Sequence, residues 1–190
     1  DIGACIVECM NTALRMAAED SRVFIPQQFA NPDNPAVHRE HTALEILEQA
    51  DGPIHGFCSG VGTGGTITGI GEVLREKNPD IVIWAVEPEN AAILSGGSIG
   101  THLQMGIGDG LIPENLNTAI YSDICVVTDR EALDTAKALA AKEGILCGIS
   151  SGSNVAAAVK LAKKLGRGKR VVTVLPDTGE RYFSTPLFTE

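Results

Sequence analysis

The chain has 190 residues, 44% hydrophobic and 21% charged, which is enough apolar material for one good core and argues against a disordered or fibrous chain. A net charge of −9 without a basic stripe argues against a nucleic-acid surface, and no apolar run reaches the length of a membrane span. No charged-apolar-small signal segment opens the chain, so the expected setting is the cytoplasm. Five cysteines (Cys5, Cys9, Cys58, Cys125, Cys147) form no C-x-x-C pair and read as reduced thiols. His38 and His41 in H-R-E-H lack the zincin pattern, and no metal is expected.

In chain order, Ile6, Val7, Met10, Leu14 and Ala17 or Ala18 recur at helical spacing and predict a helix over Ala4 to Glu19. Because the chain opens at Asp1-Ile2-Gly3 without methionine and runs almost directly into that helix, it is expected to be truncated at its N-terminal side. Ser21 to Ile25 reads as a short strand stopped by Pro26, with Gln27-Gln28-Phe29 as a loop. Asn31-Pro32-Asp33-Asn34-Pro35 is turn chemistry, with Asn34 as N-cap and Pro35 first in a helix to about Gln49. That helix is expected to turn Ala36, Val37, His41, Leu44, Ile46 and Leu47 to the core.

Ile54 to Cys58 reads as a strand, Thr66 to Lys77 as a helix and Ile81 to Val86 as a second strand, a βαβ unit with a right-handed crossover. Between the first strand and the helix lies Ser59-Gly60-Val61-Gly62-Thr63-Gly64-Gly65-Thr66. Backbone N–H groups can converge on one anion there because bulky side chains are absent, and the helix dipole adds positive potential. The stretch is therefore expected to cradle a phosphate. Residues 90–116 are glycine-rich and aperiodic, as functional loops are. Ile124 to Val127 is a strand, Thr128 and Glu131 form a capping box for a helix to Lys142, and Gly144 caps its end. Gly148-Ile149-Ser150-Ser151-Gly152-Ser153 leads into a helix over Asn154 to Leu165, and Arg170 to Leu175 is the last strand, before Pro176 to Tyr182.

This alternation predicts an α/β fold: an open, mostly parallel twisted sheet with helices on both faces, three layers in all. Ligands of such sheets lie beyond the strands' carboxyl ends, so the Ser59–Thr66, Gly148–Gly152 and Pro176–Tyr182 loops are expected to share one crevice. Gly60-x-Gly62-x-x-Gly65, with Glu87 closing the next strand, also fits a dinucleotide fingerprint. The loop alone leaves both phosphate ligands open.

Gly62-Thr63-Gly64-Gly65-Thr66, Gly148-Ile149-Ser150-Ser151-Gly152 and Leu175-Pro176-Asp177-Thr178-Gly179-Glu180-Arg181-Tyr182, in that order, resemble the pyridoxal-phosphate β-replacement family, and within it the cysteine synthases (O-acetylserine sulfhydrylases). Phe24 to Phe29 and Gln104-Met105-Gly106-Ile107-Gly108 resemble the same enzymes. The resemblance implies that Gly62, Thr63, Gly64, Gly65 and Thr66 hold the phosphate of pyridoxal 5'-phosphate and that Ser150 bonds its pyridine nitrogen. It further implies that Gln28 and Gly106 serve the substrate, and that the intact enzyme makes L-cysteine from O-acetyl-L-serine and sulfide. A homodimer and a complex with serine acetyltransferase are also implied. The family's Schiff-base lysine has no counterpart here, since Lys77, Lys137, Lys142, Lys160, Lys163, Lys164 and Lys169 lie on polar helix faces or turns; no catalytic residue is assigned in this chain. Residues 1–28 resemble the tail of a small mobile domain and 29–190 most of the large cofactor domain. A cystathionine β-synthase, a non-catalytic binding relative and a nicotinamide-binding protein remain the alternatives.

Overall fold

The computed structural model describes residues 2–189, with side chains from residue 6 onward. Four short strands, β1 (Gly56–Gly60), β2 (Val82–Pro88), β3 (Asp123–Val127) and β4 (Val171–Thr173), form one sheet in the order β3-β2-β1-β4. All neighbours run parallel, with Gly56 paired to Val82 on one side and Val171 on the other, and Trp84 paired to Asp123. Parallel pairing requires long crossovers. Helix α4 (Gly65–Lys77) joins β1 to β2, the 89–122 segment joins β2 to β3, and α5 (Asp129–Glu143) with α6 (Ile149–Leu165) joins β3 to β4.

Successive strand residues point to opposite faces, and both faces are covered. Cys58, Trp84, Val86, Cys125 and Val127 meet Ala132, Ala136, Ile149, Ala157 and Leu161 of α5 and α6. Phe57, Ile83 and Ala85 meet Ile67, Ile70 and Leu74 of α4 on the other face, together with Ala43. The fold is the expected three-layer α/β sheet. The capping box of α5 forms as read: Glu131 N donates to Thr128 Oγ1 (3.1 Å) and Thr128 N donates to a Glu131 carboxylate oxygen (3.0 Å).

Three local expectations are corrected. Ser21–Ile25 is no strand, because among the described residues no strand lies beside it; Phe24 is 83% exposed. The segment from Asp33 to Gln49 is not one regular helix but α2 (Asp33–Val37), a π-helical turn (His38–Thr42) and α3 (Ala43–Gln49). The wider turn shifts the helical phase of the residues after it. Pro35 and Ala43 are buried, whereas Val37, His41 and Leu44 face outward. Asn34 lies inside α2 and caps nothing. Finally, α6 begins at Ile149 and not at the expected Asn154, with Gly148 as its N-cap, so Ser150 and Ser151 are first-turn residues. The first helix, α1 (Ile2–Glu19), forms as expected with its apolar Val7, Met10 and Leu14 exposed. Among the described residues no helix is long and apolar enough to cross a membrane.

Candidate active site

Between β1 and α4 the chain turns at the carboxyl end of the sheet, and two glycines permit the turn for different reasons. Gly64 has φ +80°, a left-handed conformation that side chains disfavour. Gly62 needs space: a Cβ there would sit 2.3 Å from the carbonyl oxygen of Gly106. The turn is pinned on both sides, since Val61 N donates to Val86 O (3.0 Å) and Gly108 N donates to Val61 O (3.0 Å). Among the described residues no acceptor meets the N–H groups of Gly62, Thr63 or Gly64, and Gly65 N reaches only Thr63 Oγ1 at 3.5 Å. These donors, with the first turn of α4, stand ready for an anion.

A cavity of about 500 Å³ opens over the turn, lined by Gly62, Thr63, Gly64 and Thr66 as well as Gly106, Asn154 and Pro176. A second cleft, also about 500 Å³, runs from α1 past Gln28 and shares Thr63 and Gly106 with the first. Thus Gly62, Thr63, Gly64, Thr66 and Gly106 are brought together, with Gln28 in the adjoining cleft. Gly65 is buried against Asn34 instead of lining either cavity. Ser150, 4% exposed, lies one helical turn before Asn154 on the same face of α6 and is not in the cavity wall. The Gly148 segment meets the Pro176–Tyr182 loop through Gly148 N donating to Asp177 O (3.2 Å), and Tyr182 donates to Asp177 Oδ2 (2.6 Å). Burial, and then that hydrogen bond, raise the Tyr182 pKa.

Several residues that hold the site escaped the sequence reading. Asn34 Nδ2 donates to Thr63 Oγ1 (2.9 Å) and to Gln28 O (2.8 Å), tying the turn before α4 to the Gln27-Gln28-Phe29 loop. Gln27, beside it, has φ 56°, an uncommon conformation for a side-chain-bearing residue. The π-helical turn aims His38 inward: Nε2 lies 3.3 Å from Thr66 Oγ1 and Nδ1 3.0 Å from Thr42 Oγ1. Burial lowers the His38 pKa, which favours the neutral ring beside the cradle. Asn154, 1% exposed, accepts from Gly60 N (2.7 Å) and donates to Val174 O (2.9 Å), locking α6 to β1 and to the segment after β4.

The dinucleotide alternative loses its acid. Glu87 is 2% exposed and lines neither cavity; it accepts from Leu94 N (2.8 Å), Ser95 N (3.0 Å) and Ser95 Oγ (2.5 Å), and so holds the 90–97 loop. The buried thiols are inert by their surroundings: burial pushes Cys58 up to about 12 and raises Cys125 and Cys147 as well.

Residues 2–177 match the family of pyridoxal-phosphate dependent enzymes. A cysteine synthase from Staphylococcus aureus is 50% identical over 186 residues, covering 96% of this chain and 60% of that relative. The crystal structure of a cysteine synthase from Entamoeba histolytica, 40% identical, superposes with a TM-score of 0.90 over 95% of this chain and 54% of that one. A hydrogen sulfide-producing enzyme from Fusobacterium nucleatum, 36% identical, superposes with a TM-score of 0.89 over 95% and 55%. The chain spans about 60% of the length of the curated relatives it matches.

Proposed function

The chain belongs to the pyridoxal-phosphate dependent enzyme family, and from that premise we propose that it carries the cofactor-holding part of a cysteine synthase. The whole enzyme would make L-cysteine from O-acetyl-L-serine and sulfide by β-replacement, in the cytoplasm, as a homodimer able to bind serine acetyltransferase. In this reading residues 29–190 are most of the large domain and residues 1–28 the tail of the small one. The observation that carries the proposal is the cradle: free backbone donors and two threonine hydroxyls at a helix N-terminus, in a cavity of suitable size.

Gly62, Thr63, Gly64 and Thr66 would hold the cofactor's phosphate, with Gly65 keeping the turn tight against Asn34. Since Asn34 donates to Thr63 Oγ1, the Thr63 proton is free to point to the phosphate. Thr66 can do the same when the neutral His38 carries its proton on Nε2 and accepts from Thr42 at Nδ1. Ser150 would bond the pyridine nitrogen as a neutral hydroxyl, and Gln28 and Gly106 would receive the substrate. When bound, pyridoxal phosphate supplies the electron sink that lets the β-carbon exchange acetate for sulfur.

Among the described residues no lysine lines either cavity. Lys160 pairs with Glu131 (2.7 Å) and Lys164 with Asp123 (3.2 Å), while Lys77 and Lys169 flank a hollow between Pro53 and Leu165, remote from the cradle. The lysine that would bond the cofactor's aldehyde is therefore proposed to lie outside this chain. The test joins the chain to the leading segment of the Staphylococcus aureus relative and assays cysteine formation from O-acetyl-L-serine and sulfide. Turnover by the fusion and none by the chain alone is expected. Cysteine made by the chain alone would overturn the assignment of the lysine, and a folded, cofactor-loaded fusion without turnover would overturn the synthase reading.

A further inference from the structure

Other buried or half-buried carboxylates in this molecule have structural work. Glu87 holds Leu94 and Ser95, Glu72 pairs with Arg39 and accepts from Asn117, Asp129 accepts from Leu103 and Gln104, and Asp177 accepts from Tyr182. Asp109 is different. It is half-buried, yet among the described residues none donates to its carboxylate or forms a salt bridge with it. Among the described residues it is also the one carboxylate lining either the cradle cavity or the adjoining cleft, which it shares with Gln28, Thr63 and Gly106.

The loop holds this group in a fixed place. Gly108 and Gly110, with φ +72° and +81°, fold the chain sharply on both sides of Asp109, and Gly108 N anchors the loop to Val61 O. The carboxylate reaches the rim of the cradle: Oδ2 lies 3.6 Å from where a Cβ on Gly62 would stand. The titratable groups around it are few. His102, on the same loop, accepts from Gln104 N at Nδ1 and meets Gly108 O through Nε2; Glu87 at the end of β2 is fully engaged; Cys9 faces the cleft from α1. Burial raises the Asp109 pKa above the usual carboxylate range, with His102 opposing the shift, and a carboxylate so placed is a better proton acceptor than one in water.

We propose that Asp109 takes the proton of the nucleophile that attacks in this cleft, so that the site selects nucleophiles arriving protonated and uncharged (hydrogen sulfide, a thiol or water) over anions. This rests on the β-replacement reading given above. As a lone pair of the sulfur or oxygen forms the bond to the substrate's β-carbon, the nucleophile's S–H or O–H bond breaks, its electron pair stays on the sulfur or oxygen, and the proton passes to Asp109. Acetate leaves with the electron pair of its own bond to the same carbon, and Asp109 later returns its proton to solvent. A hydrosulfide anion needs no such acceptor and is repelled by the carboxylate at the rim of the cradle.

The test compares the fusion enzyme with its Asp109→Asn variant, using sulfide across a pH range that spans the ionisation of hydrogen sulfide. The unsubstituted enzyme is expected to keep its rate as pH falls and the neutral form predominates, whereas Asp109→Asn should lose about 100-fold at the acidic end and recover toward alkaline pH, tracking the anion. Identical pH profiles in the two proteins, with cysteine formation intact, would overturn the proposal. Absence of product from both proteins would instead overturn the β-replacement reading. Carbon-13 NMR of the Asp109 carboxyl in the unsubstituted 190-residue chain decides the matter independently, including where the variant fails to fold. The carboxyl should titrate above the ordinary range and shift when β-mercaptoethanol enters the cleft, and an ordinary titration indifferent to the thiol would contradict the assignment.

Discussion

Replacing Gly62 with alanine is expected to remove most of the affinity for pyridoxal phosphate while leaving the chain folded. The added methyl would stand 2.3 Å from Gly106 O, about an ångström inside the closest ordinary C···O contact. Neither side yields cheaply, because the chain beside each is fixed by backbone hydrogen bonds: Val61, next to Gly62, donates to Val86 O, and Gly108, two residues after Gly106, donates to Val61 O. Overpacking of this kind costs about 1–3 kcal/mol, which, taken from the binding step, is a loss of roughly 5- to 150-fold in affinity. The damage falls on binding because Gly62 lies beyond the end of β1 and belongs to neither core cluster. Fluorescence titration of the variant chain with pyridoxal phosphate checks this, and unchanged affinity in a folded variant would show that the Gly62–Gly106 contact does not shape the cradle.

Replacing Asn154 with alanine is expected to have the largest effect on stability. Its side chain joins β1 to the segment following β4 through Gly60 N and Val174 O, and it is buried where water replaces neither bond readily. Each backbone group left without a partner costs about 1–3 kcal/mol, so a total near 3 kcal/mol and a drop in Tm of roughly 6–12 °C are expected for a chain of this length. Thermal and urea unfolding monitored by circular dichroism measure it. Because Asn154 also lines the cradle cavity, cofactor affinity should fall along with Tm, in contrast to the alanine at Gly62, which spares the fold.

What could be read from the residues was what local chemistry dictates. Strand, glycine-threonine turn and helix from Ile54 to Lys77 announced the βαβ unit because apolar period and turn residues coincide there. The Thr128–Glu131 capping box was legible because both of its bonds close within three residues. The site's supporting contacts span much longer separations: Asn34 to Thr63 crosses 29 residues, His38 to Thr66 crosses 28, and Asn154 to Gly60 crosses 94. No local pattern encodes them. Asn34 in particular carried the chemistry of an N-cap, and only the approach of β1 and α4 turns that amide toward a threonine. The π-helical turn was hidden for a related reason, since a regular helical period places His41 and Leu44 inside, and one wider turn puts them outside. Asp109 could have been noticed as the one acid among the loop glycines 106, 108 and 110, but its meaning depends on the cleft that the fold builds around it.

The functional reading rests on the Ser59–Thr66 turn gripping a phosphate, and one comparison tests that most directly. The 190-residue chain is titrated in parallel with pyridoxal phosphate and with pyridoxal, which carries the same ring without the phosphate. Charge-assisted hydrogen bonds of about 1.5–3 kcal/mol each, two or more of them made to the phosphate, predict that pyridoxal binds at least ~100-fold more weakly. Equal affinity for the two compounds would contradict the cradle and the functional reading built on it.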